Sequence, residues 1–94
     1  MSVSDSIKEI IELINQIIKT PNIEIVYKIN NLMNSVKKNN ISYKLLSLFC
    51  EINYQLMNLE NYLYYSKNNI DELIFIHHNF ECIIFNLENY LNAL

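Results

Sequence analysis

Apolar residues recur along this chain in steps of three and four, and the pattern breaks three times. Such steps return a side chain to one face of a 3.6-residue turn, so each unbroken segment predicts an amphipathic helix. The first runs from about Asp5 to Lys19. Ile7, Ile10, Ile11, Ile14, Ile17 and Ile18 form its stripe, while Lys8, Glu9, Glu12, Asn15, Gln16 and Lys19 fill the rest. Ser6 with Glu9 fits a capping box, and Ser4 offers another cap. Thr20-Pro21 reads as an N-cap followed by proline at the first helical position. The second helix is therefore expected over 21–38, although a proline here can also kink one longer helix. Its stripe is Ile25, Ile29, Leu32, Met33 and Val36, flanked by Val26.

Two longer helices follow a polar turn at 38–41. Ser42 is placed to cap the third, expected over 43–66. Leu45, Phe49, Ile52, Leu56, Leu59 and Leu63 hold heptad spacing along it, and Tyr43, Cys50, Tyr54, Met57, Tyr64 and Tyr65 occupy the opposite side. Asn69 is placed to cap the fourth, expected over 70–93, with Asp71 and Glu72 favourable at its N-terminal dipole. This helix also has two stripes. One is Leu73, His77, Phe80, Ile84, Leu87 and Leu91; the other is Phe75, His78, Cys82 and Phe85. An outer helix of a lone domain needs one apolar stripe. A helix with two is either central or has a partner outside the chain.

The predicted fold is all-α: a compact antiparallel bundle of four helices, one domain over 1–94. The long C-terminal hairpin packs against two shorter N-terminal helices and sits at the centre. The long helices span roughly 36 Å each and the short ones roughly 22–27 Å, so the short pair covers one side of the hairpin and leaves the other open. The surface expected to remain open for another chain is Tyr54, Met57, Tyr64, Tyr65, Phe75, His78, Cys82 and Phe85. One internal echo supports equivalent faces on the long pair: Asn58 to Leu63 recurs as Asn86 to Leu91, four heptads later.

Composition removes several alternatives. The sequence has no glycine and one proline, so the turns a small β-fold requires are missing. It is 51% hydrophobic, too apolar for intrinsic disorder. All seven basic residues are lysine. Abundant Asn, Ile, Lys, Tyr and Phe beside absent Gly and Arg point to a very AT-rich genome, such as a low-GC bacterium, a phage or other mobile element, or a virus. A net charge of −3, with no basic patch and no arginine, disfavours nucleic acid as a partner. No apolar run is long enough to span a bilayer, and the N-terminus lacks the layout of a signal peptide. Two cysteines in that setting suggest a reducing, cytoplasmic location, in a host cell if the source is viral.

The densest titratable cluster is His77-His78-Asn79-Phe80-Glu81-Cys82. His78 and Cys82 lie one turn apart, as do His77 and Glu81, but zinc sites need three or four ligands and no second pair is evident. No metal and no cofactor are expected; His77 should sit in a helix seam, bonded to Glu60 or Tyr62, with His78 half exposed. A hairpin turning near 68–69 puts Cys82 opposite about residue 55, roughly 7 Å along the axis from Cys50. That offset strains a disulfide, so two separate buried thiols are expected. Glycine-free helices offer no loop for an oxyanion hole, and no catalytic residues are assigned.

In size, acidity and helix count the chain resembles small helical binders: bacteriocin immunity proteins, phage anti-defence inhibitors, and secretion or flagellar chaperones. No motif carries that resemblance, and no residue role follows from it. The expected function is a non-catalytic module that occludes a larger protein, of the inhibitor, immunity or anti-defence type. The alternative is a self-assembling structural or adaptor subunit, with a homodimer formed through the same face.

Overall fold

A computed structural model describes residues 2–65 and 68–94. It contains α1 (Val3–Lys19), α2 (Ile23–Lys37), α3 (Tyr43–Tyr65) and α4 (Ile70–Asn92), with no strand among the described residues. No described helix is long and apolar enough to cross a membrane. The expected end of the third helix at Ser66 lies outside the described residues.

The caps explain where these helices begin, and two of them correct the sequence reading. Neither Ser4 nor Ser6 caps α1. Ser2 does, its Oγ accepting the Asp5 backbone N–H at 3.0 Å, and Ser6 is buried inside the helix. The earlier start adds Val3 to the residues packed on the core. Proline breaks the chain instead of kinking it. Thr20, forced towards extended backbone by the following Pro21, closes α1 with its N–H on the Gln16 carbonyl. Asn22, and not Thr20, then caps α2: its Oδ1 accepts the Glu24 N–H at 2.8 Å. Ser42 and Asn69 cap the long helices as expected, accepting the N–H of Leu45 at 3.2 Å and of Glu72 at 3.3 Å.

The four helices form a ring. α1 packs on α2 and α4, α3 packs on α2 and α4, and across the diagonals no Cα atoms of the described residues come within 8 Å. No helix is central, because each has two neighbours and two open flanks. The long pair is antiparallel: Ser42, just before α3, meets the Tyr90 hydroxyl near the end of α4 at 3.1 Å. The bundle is 40 Å long and about 20 Å across.

One core runs through the ring. Ile7, Ile10, Ile14 and Ile17 from α1 meet Val26, Ile29 and Met33 from α2, Phe49, Ile52, Leu56 and Leu59 from α3, and Phe80 and Leu87 from α4. Leu13 joins them, while Ile11 and Ile18 lie at the rim. The buried side of α4 is turned slightly from the expected stripe. Ile76 and Ile83 are buried, whereas Leu73, His77 and Leu91 are only partly so. A four-sided ring requires each helix to fill a broad wedge, wider than the narrow seam that strict heptad spacing describes.

Candidate surface on the α3–α4 hairpin

With one flank of each long helix committed to the core, the opposite flank carries the second stripe into solvent. Tyr54, Met57, Tyr64, Tyr65, Phe75, His78, Cys82 and Phe85 are all exposed. The exposure is substantial: 63% for Tyr54 and 64% for Phe85. Leaving such side chains in water forfeits roughly 1.5–3 kcal/mol of burial for each large one.

Packing of α3 on α4 shapes the middle of this surface into an open groove of about 600 Å³. Ser47, Cys50, Glu51 and Tyr54 form one wall and Asn79, Cys82 and Asn86 the other, over a floor that includes Gln55 and Ile83. Gln55 is buried, its Oε1 accepting the Asn58 Nδ2–H at 3.4 Å. A second depression, formed by His78, Glu81, Cys82, Phe85 and Asn86, adjoins it along α4. Of the eight expected residues, the structure therefore brings Tyr54, His78, Cys82 and Phe85 around one groove and its shoulder. Tyr64 lies elsewhere, at the edge towards α2, where it meets Tyr27. Tyr65 stacks obliquely on it, ring centroids 6.3 Å apart at 57°. A hydrogen bond with Tyr64, and the charge that Tyr64 would acquire, hold the Tyr27 hydroxyl above its ordinary pKa of 10; slight burial and the nearby Glu60 act in the same direction.

The sequence reading missed Glu51, Asn79 and Asn86 as groove residues, because polar positions carry no stripe signal. It also missed Tyr27, which is exposed beside the apolar stripe of α2.

Two expectations about the cysteines and histidines need correction. Both thiols are free, but both are exposed. Both line the groove, Cys50 from α3 and Cys82 from α4. The His77 Nε2 is buried and has no hydrogen-bond partner among the described residues, so that atom does not make the expected bond to Glu60 or Tyr62. His78 keeps a weak contact, its Nε2 lying 3.9 Å from the Cys82 Sγ. Among the described residues no three His, Cys, Asp or Glu side chains converge as a metal site.

What this surface offers is contact chemistry: aromatic rings with polar tips, two thiols, and asparagine amides along a shallow channel. Tyr and Phe supply large contact areas at little conformational cost, and Met adds an adaptable one, which suits a protein interface. Comparison with family models, with curated proteins and with solved structures finds no match for the chain.

Proposed function

We propose that this protein is a non-catalytic binding module that occludes a larger protein through the outer face of the α3–α4 hairpin. The observation that carries the reading is the position of the second apolar stripe. In a ring of four helices it cannot be covered from within the chain, and its aromatic side chains stand in water. Large exposed apolar side chains gathered beside a groove are a feature of interaction sites. The groove between Tyr54 and Cys82 gives such a partner a place to insert an anchoring side chain. An inhibitor, immunity or anti-defence role in the cytoplasm of a host with an AT-rich genome fits a small domain with a codon-biased composition common in mobile elements.

Affinity capture from the native host tests the reading. One larger partner should return at defined stoichiometry, and Tyr54→Asp or Phe85→Asp should release it while the helical circular dichroism stays unchanged. Recovery of nothing but copies of the same chain would replace occlusion with self-assembly.

A further inference from the structure

The charge of this protein is not scattered once the helices are placed. α1 and α2 carry four lysines against four carboxylates and cancel. α3 and α4 carry Lys44 against Glu51, Glu60, Asp71, Glu72, Glu81 and Glu88, a net of −5. Among the described residues, the same two helices, with the residues that follow them, hold eleven of the twelve large hydrophobic side chains exposed to solvent; Tyr27 is the exception. Acidic and exposed aromatic residues therefore share the same two helices.

They also interleave. Glu51 shares a groove wall with Tyr54. Glu81 lines the shoulder with Phe85 and His78. Glu60 lies close enough to the Tyr27–Tyr64 pair to act on its ionisation. Neither Glu51 nor Glu81 has an ion-pair partner among the described residues.

We infer that the α3–α4 face docks a protein surface with an apolar centre and a lysine- or arginine-rich rim, and not a second copy of itself. This rests on the binding reading above and adds the chemistry of the partner. Glu51 beside Tyr54 and Glu81 beside Phe85 are the complement of such a rim. A second copy would set one acidic pair of helices against another, and like charges facing each other across an interface oppose association. Nucleic acid and anionic bilayers are repelled for the same reason.

The test uses the full chain and two synthetic amphipathic helical peptides. Both carry leucine and phenylalanine on one face; the other face is lysine in one peptide and glutamate in the second. Binding is read by fluorescence anisotropy. The lysine peptide should bind, and its affinity should fall about tenfold or more between about 50 mM and about 300 mM salt, as screening shortens the Debye length. Glu51→Gln with Glu81→Gln should weaken it about three- to tenfold, on the scale of two rim ion pairs. Glu9→Gln with Glu12→Gln on α1, which removes the same charge from the other hairpin, should leave it unchanged. Phe85→Ser should weaken it at both salt concentrations. Equal binding of the two peptides, lost on Phe85→Ser, would overturn the charged partner while leaving the docking face intact. Equal loss from the α1 and α3–α4 charge variants would reduce the effect to net charge and overturn the inference. No binding of either peptide would remove the docking face itself. A concentration-dependent dimer that Phe85→Ser dissociates would assign the face to a second copy.

Discussion

His77 shows how one residue can follow the helical pattern and still be a poor fit. It occupies a stripe position on α4, so its ring is drawn towards the bundle, yet its Nε2 is buried without a partner. An unsatisfied buried polar atom costs about 1–3 kcal/mol. His77→Leu should therefore raise the unfolding free energy by about 1–2 kcal/mol, measured by urea denaturation, because leucine fills similar space and has nothing to satisfy. A different consequence attaches to Tyr27. Its hydroxyl is held above 10 by the bond to Tyr64. A group raised in the folded state contributes stability below its unfolded pKa, and that contribution is lost as pH climbs through the folded value. The bundle should accordingly lose stability as pH rises past 10. Ultraviolet titration should place one phenol above 10 in the native protein, and Tyr64→Phe should bring it back towards that value.

At the scale of the element, the residues that were legible from sequence are those governed by local rules. The stripes of α1, α2 and α3 faced the core because helical spacing leaves a side chain little choice. Ser42 and Asn69 were recognisable because a capping oxygen must lie just before the first turn. Ser2 and Asn22 were missed because several Ser, Thr and Asn residues compete near each start, and only the packing of the first turn chooses among them. Asn22→Ala should destabilise the fold by about 1 kcal/mol, whereas Thr20→Ala should cost less, since the Thr20 side chain caps nothing. Thermal denaturation of the pair checks this. The register of α3 on α4 follows from no local rule, because it depends on how the buried faces of two helices pack.

For the whole molecule, the ring of helices separates two kinds of apolar residue that look alike in sequence. Phe80 and Phe85 sit five positions apart on α4; the first is fully buried and the second stands open. Phe80→Ala should cost about 3–5 kcal/mol, a large part of the roughly 5–15 kcal/mol that holds a domain together. Phe85→Ala should leave thermal stability nearly unchanged and act on binding alone. The open face was readable as a surplus of stripe, but its acidity was not, because the carboxylates are spread along the sequence and gather only when α3 pairs with α4. The central claim is that this face is the contact surface, and hydroxyl-radical footprinting of the captured complex tests it most directly. In the isolated protein Tyr54, Met57, Phe75 and Phe85 should all be oxidised, in keeping with their exposure. In the complex they should be protected at least about fivefold, the excluded water of a packed interface, while the exposed surface of α1 and α2 reacts as before. Protection confined to α1 and α2, with Tyr54 and Phe85 still fully reactive, would contradict the account.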